Sequence, residues 1–277
     1  MQPVEREVSY WLAGSFFRLA YVEWGDNSSE PLLCVHGLSR TGRDFDVLAE
    51  SLADRFHVIC PDLPGRGRSS WLPQGALYQP ASYVTALAHL LAAIGRPVQW
   101  LGTSLGGICG MVAAASPSTP ISRMVLNDIG PFVPAAALAR IRDYIGVLPR
   151  FADLAEAEAY LRRVHAPFGR LTDAQWHHLA ETSVRALPDG GLALHFDPVL
   201  TEPIVAAEPQ DLDMWPLWAR IEIPMLALRG AESDLLLPET LQQMAAKAAT
   251  HIVPDCGHAP ALMDAPTIAV VRSFLEG

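Results

Sequence analysis

From Pro31 onward the sequence keeps one rhythm. Apolar runs of strand length (PLLCVHG, FHVICPD, VQWLGT, SRMVLND, PMLALRG and HIVPD) alternate with segments of helix length. Strands this uniformly apolar have no polar face to give to water, so they must be covered on both sides. The intervening helices supply that cover, which predicts an α/β chain with a mostly parallel central sheet and helices on both faces. Ahead of this series, VSYWLAGSFFRLAYVEWG alternates apolar and polar residues on either side of Ala13-Gly14, the pattern of a hairpin.

The rhythm breaks once. Between Gly130 and about Trp215 no convincing strand stands out, and AAALARIRDYIGVL, ADLAEAEAYLRRV and TDAQWHHLAETSVRAL read as helices. A segment of about 85 residues is too long for a connecting loop and must have structure of its own. The expected organisation is a core domain of residues 1–130 and 216–277, with residues 131–215 inserted as a helical cap over the C-terminal edge of the sheet.

Composition narrows the function classes. Half of the 277 residues are apolar and 18% are charged, enough for a sizeable core and incompatible with disorder. Twenty basic against 30 acidic residues give a net charge of −10, which repels a nucleic-acid backbone or an anionic membrane surface. Lys247 is the single lysine, so there is no P-loop and no promising Schiff-base residue. The N-terminus carries Glu5, Arg6 and Glu7 ahead of any apolar run, unlike a signal peptide. The uncharged stretch Pro97–Ser122 is punctuated by glycine and proline and reads as strand, turn and helix. Cys34, Cys60, Cys109 and Cys256 are scattered with no CxxC pair. A soluble cytoplasmic protein is expected, and an apolar cap surface fits either a homodimer face or only a lid.

The strand VQWLGT ends in Gly102-Thr103-Ser104-Leu105-Gly106, and a helical segment follows. This is G-x-S-x-G in the context it requires. A strand that turns directly into a helix strains the residue at the bend and exposes its side chain, and the flanking glycines let strand and helix cross. Ser104 is therefore the candidate nucleophile, at a helix N-terminus that favours developing negative charge. A serine hydroxyl needs a base. Of nine histidines, His258 alone lies in a Gly-His-Ala-Pro turn after a late strand, at the edge where Ser104 also emerges.

The imidazole needs a carboxylate to orient it. Asp234, in the loop after PMLALRG, is the expected acid. Glu232, two residues earlier, and Asp128, directly after SRMVLN, are the alternatives. Two N–H donors must hold the oxyanion. The expected pair is Leu105, next to the nucleophile, and Leu38, in the His36-Gly37-Leu38 loop after PLLCV, where His36 holds the loop.

HGL at 36–38, Asp62-Leu63-Pro64-Gly65-Arg66-Gly67-Arg68-Ser69, GTSLGG at 102–107, Asp234 and GHAP at 257–260 follow one another across nearly the whole chain. In these motifs the sequence resembles the capped members of the α/β-hydrolase superfamily. The resemblance implies the α/β-hydrolase fold and Ser-Asp-His catalysis with no metal or organic cofactor. The serine at 104 departs from haloalkane dehalogenases and epoxide hydrolases, which carry an aspartate there. One spacing differs as well: many relatives place the acid three residues after the strand-end glycine, whereas Asp234 is four after Gly230.

Other constellations point less clearly to chemistry. His195 and Asp197 lack the further ligands a metal needs. Phe132, Tyr144, Phe168, Trp176, Trp215 and Trp218 fit cap core better than a pocket lining. Arg40 and Arg43 flank the oxyanion loop and read as surface ion pairs before they read as binders of a substrate carboxylate. The expected activity is hydrolysis of a small carboxylic ester, lactone or thioester with an apolar acyl group through an acyl-enzyme. Carbon–carbon hydrolysis of a vinylogous diketone or keto acid, perhydrolysis, and a slow-turnover ligand receptor are the alternatives on the same fold.

Overall fold

The expected hairpin forms from β1 (Val4–Leu12) and β2 (Ser15–Trp24), paired antiparallel from Val4 opposite Glu23 to Leu12 opposite Ser15. The computed structural model describes residues 2–277. The α/β series follows as β3 (Glu30–Val35), α1 (Asp46–Leu52), β4 (Phe56–Pro61), α2 (Pro80–Ile94), β5 (Val98–Thr103), α3 (Leu105–Ala114) and β6 (Ile121–Asn127).

The segment after β6 holds β7 (Phe132–Val133), α4 (Ala135–Ile145), β8 (Arg150–Phe151), α5 (Leu154–Val164) and α6 (Asp173–Ser183). It continues through β9 (Val184–Ala186), β10 (Leu192–Leu194), α7 (Glu202–Ala206), β11 (Leu212–Asp213) and α8 (Trp215–Ala219). The chain closes with β12 (Met225–Gly230), α9 (Pro238–Met244), β13 (Ala249–Val253) and α10 (Ala265–Glu276).

Eight strands form the central sheet in the order β1-β2-β4-β3-β5-β6-β12-β13. All neighbouring pairs from β4 to β13 run parallel, and the hairpin joins antiparallel through β2. Successive residues of β3 feed opposite faces, as the strand period requires. Leu33 and Val35 pack with α2, α3 and Trp100, while Leu32 and Cys34 pack with Leu48 and Leu52 of α1 and Val271 and Leu275 of α10. This explains why the strands read as unbroken apolar runs.

The insert is not purely helical. It carries a three-stranded sheet, β8-β10-β9, and a two-stranded ribbon, β11-β7. Strands of two or three residues are too short to show a period, so the sequence reveals only the helices. Those helices carry their own end signals: Thr172 and Gln175 form a capping box on α6, and the Asp153 side chain accepts from Glu156 N–H at the start of α5. Ala137, Ile141 and Ile145 of α4 pack into the same apolar cluster as Trp100, which ties the insert to the sheet's helical layer. Among the described residues no helix is long and apolar enough to cross a membrane.

Candidate active site

One residue separates β5 from α3. Ser104 makes the whole turn at φ 51° and ψ −115°, a left-handed φ that costs a non-glycine residue free energy and persists only where packing enforces it. The flanking glycines enforce it. A Cβ on Gly106 would lie 2.0 Å from the carbonyl oxygen of Val35, and one on Gly102 would lie 2.4 Å from that of Gly106. Strand β3, strand β5 and helix α3 can therefore approach only if both positions lack a side chain.

The Ser104 hydroxyl lies 3.0 Å from Nε2 of His258, and His258 Nδ1 lies 2.7 Å from Oδ2 of Asp128. A carboxylate only accepts, so Nδ1 carries the proton and Nε2 presents its lone pair to Ser104. The histidine loop is fixed from β6, because the Asn127 side-chain amide donates to Pro260 O at 2.8 Å and to Thr103 Oγ1 at 3.0 Å.

The acid beside His258 is thus Asp128, and the expectation of Asp234 is corrected. Asp128 is fully buried, and its Oδ1 accepts from Gly230 N–H at 2.9 Å. Asp234 faces solvent and is held by Arg140, whose Nε and Nη2 donate to its two oxygens at 2.6 and 2.9 Å. Glu232 is exposed, its backbone N–H bonded to Cys256 O at 2.8 Å. The register explains the choice. Thr103 pairs with Asn127 across β5 and β6, so Ser104 and Asp128 are the next residues on adjacent strands. The position three after Gly230 is Ser233, whose hydroxyl donates to Asp128 Oδ2 at 2.6 Å.

Leu105 is the first residue of α3, where an N–H has no intrahelical acceptor. Leu38 borders the same space. Its loop is pinned from below: His36 Nδ1 donates to Gly37 O at 2.7 Å, and His36 Nε2 accepts from Leu63 N–H at 2.9 Å. Burial pushes the His36 pKa down to about 3, so the ring stays neutral and structural, as expected. Arg66 is the residue the sequence reading missed. Fully buried, it donates from Nε to Leu38 O at 2.8 Å and from Nη1 to Pro64 O at 2.7 Å, with its guanidinium 4.7 Å from the Tyr83 ring centroid. Its signal in the sequence is the first arginine of GRGRS.

Two cavities meet at Leu38, Ser104 and Ile141. One, of about 260 Å³, is walled by His258, Arg40, Arg140, Tyr144, His165 and Phe168. The other, of about 280 Å³, is mostly apolar, walled by Leu105, Ile108, Ile129, Val133, Leu138 and Leu235, with Arg142, Glu208 and Gln210 also on its lining. Tyr144 and Phe168 therefore line the site, whereas Trp176 packs with Leu179 and Met263, and Trp215 stacks edge-on against Trp218. Arg40 is buried rather than on the surface: its Nε and Nη2 bond Asp44 at 2.8 and 2.7 Å, and its Nη1 lies 3.3 Å from His165 Nε2. Burial and then the Arg40 charge hold the His165 pKa well below the usual histidine range, so this ring is a neutral acceptor. Arg43 pairs with Asp46 and does not line either cavity. Among the described residues no group of three His, Cys, Asp or Glu could hold a metal ion.

A family model described as the alpha/beta hydrolase family matches residues 32–272. The chain is 41% identical over 274 residues to the 3-hydroxybutyrate-oligomer hydrolase of Cupriavidus necator, covering 94% of this chain and 93% of that protein. It is 26% identical over 274 residues to Lipase 1 of Psychrobacter immobilis, covering 94% of this chain and 82% of the lipase. Among solved structures, an alpha/beta hydrolase from Novosphingobium aromaticivorans superposes with a TM-score of 0.88 at 36% identity, covering 99% of this chain and 98% of the other.

Proposed function

The chain belongs to the alpha/beta hydrolase family, and within it we propose a serine hydrolase of carboxylic esters whose substrates are short, ester-linked hydroxy-acid chains. The observation that carries the catalytic reading is the unbroken line from Ser104 Oγ through His258 to Asp128, with links of 3.0 and 2.7 Å. The substrate class is suggested by the 3-hydroxybutyrate-oligomer hydrolase, which is similar along almost its whole length.

His258 takes the Ser104 proton as the oxygen attacks the ester carbonyl, and Asp128 stabilises the imidazolium and fixes its tautomer. The N–H groups of Leu105 and Leu38 hold the oxyanion, each contributing on the order of 3 kcal/mol to the transition state. His258 then gives its proton to the leaving oxygen. It next deprotonates the water that releases the acyl-enzyme. The insert, residues 131–215 in this reading, serves as a cap that walls the site from bulk water.

The test is hydrolysis of p-nitrophenyl esters of graded chain length by the wild type and by Ser104→Ala. Sustained turnover by the wild type with loss of all but about 10⁻⁴ of it in the variant is expected. Equal turnover by both proteins would sink the serine mechanism.

A further inference from the structure

The two cavities at Ser104 differ in which catalytic group they contain, and that difference sets the direction in which an ester lies. A leaving oxygen must reach His258 Nε2 to be protonated, so the alcohol half of the ester departs through the cavity walled by His258. The carbonyl oxygen points at the start of α3, and the acyl half falls to the remaining side, the apolar cavity walled by Leu105 and Ile108.

The alcohol-side cavity has polar donors on its insert wall. Every Arg40 nitrogen already has one partner, Asp44 on Nε and Nη2 and His165 on Nη1, so it offers no free edge to a ligand. Arg140 is different: Asp234 takes Nε and Nη2, and Nη1 has no partner among the described residues. Tyr144, one helical turn further along α4 and therefore on the same face, has a hydroxyl with no hydrogen-bond partner among the described residues. A guanidinium edge and a phenol hydroxyl on one helix face, lining one cavity, suit a carboxylate. The net charge of −10 repels anions in general, so any gain for an anionic substrate must come from such a local contact.

Resting on the ester-hydrolase reading, we propose that Arg140, with Tyr144, binds the free carboxylate of the leaving hydroxy acid, so that the enzyme shortens its substrate one unit at a time from the carboxyl end. In chemical terms, Ser104 Oγ bonds to the carbonyl carbon of the last ester. That carbon–oxygen bond breaks, and the His258 proton passes to the departing oxygen, which leaves as a free hydroxy-acid monomer. Water then adds to the acyl-enzyme and releases a chain one unit shorter that again ends in a carboxylate.

The experiment uses a 3-hydroxybutyrate trimer carrying ¹³C in its carboxyl-terminal unit, as the free acid and as the methyl ester. At early times the wild type releases labelled monomer and unlabelled dimer. Unlabelled monomer with labelled dimer overturns the proposal. The ratio of kcat/KM for acid over methyl ester is expected to be about tenfold or more, because Arg140 is partly exposed and makes a charged contact. Arg140→Gln collapses that ratio toward one, and Arg140→Lys restores part of it. A wild-type ratio near one, or one unmoved in Arg140→Gln, also overturns it, as does cleavage of p-nitrophenyl butyrate with neither trimer touched. Failure on the p-nitrophenyl ester itself would instead strike the underlying hydrolase reading.

Discussion

Ser233 donates its hydroxyl to Asp128 Oδ2 at 2.6 Å, the same oxygen that faces His258 Nδ1 at 2.7 Å. In the proposed mechanism the loop after β12 thus supports the acid instead of supplying it. With Gly230 N–H on the other oxygen, the fully buried carboxylate is surrounded by donors, the condition under which a buried charge is tolerable.

Asp128→Asn should therefore lower kcat by about 10⁴, since the amide cannot hold the required tautomer. Asp234→Asn should lower it by no more than about fivefold, the scale of an exposed ion pair. Steady-state kinetics on p-nitrophenyl butyrate separate the two. The reverse ranking would restore Asp234 as the acid.

Arg66→Lys keeps a charge beneath the oxyanion loop but loses the fork that holds Leu38 O and Pro64 O together. Loosening the Leu38 N–H by a fraction of an ångström is expected to cost about tenfold to a hundredfold in kcat, with KM little changed. A fall confined to KM would mean that Arg66 shapes substrate binding and not the oxyanion site.

Gly106→Ala should destabilise the fold by about 3 kcal/mol, because the new Cβ meets the backbone of β3 at 2.0 Å and neither partner is a flexible side chain. Gly14→Ala, at the hairpin turn with φ +85° and nothing within 4 Å, should cost only about 1 kcal/mol from backbone conformation. Urea unfolding of both variants checks the contrast.

His178 on α6 has Nε2 3.1 Å from Asp46 Oδ2 on α1, linking the insert to the core. Its pairing with Asp46 raises the His178 pKa above 6.5 and a hydrogen bond to the Arg43 backbone adds to the rise, although burial and the Arg43 charge pull against it. The folded protein then holds this proton more tightly than the unfolded chain. The contribution to stability is complete below about pH 6.5 and is lost as pH rises through the raised value. The Tm difference between wild type and His178→Gln should accordingly be larger at pH 6 than at pH 9. His36 contributes with the opposite sign but is common to both proteins, and a difference that grows with pH would refute the link.

Much of this is legible in the sequence. Ser104 and His258 are marked by local backbone demands, a strand-to-helix bend and a Gly-His turn, which a short stretch of sequence expresses directly. Asp128 directly follows its strand at φ 55°, but nothing local sets it above Asp234 or Glu232. Its role depends on β6 lying between β5 and β12, and strand order is a long-range property that leaves no local trace. The absence of an acid three residues after Gly230 hinted at it, and Ser233 in that place became informative only beside Asp128. Arg66 was hidden for a similar reason, since an arginine that ends fully buried looks in sequence like any surface cation. The two- and three-residue strands of the insert escaped because periodicity needs more residues than they have.

The position of Asp128 also matters to anyone who would recombine this enzyme with its relatives. Three residues separate the acid from β7, the first element of the insert, and two of them, Ile129 and Gly130, sit tightly: Ile129 is 1% exposed, and a Cβ on Gly130 would lie 2.8 Å from Leu236 and from Met244. A chimera cut at the end of β6 would discard the acid together with the old insert. The splice has to fall after Gly130 on the upstream side and can fall before Met225 on the downstream side. Such a graft exchanges the insert-side walls of the two cavities while the Ser104, His258 and Asp128 framework travels as one inherited block.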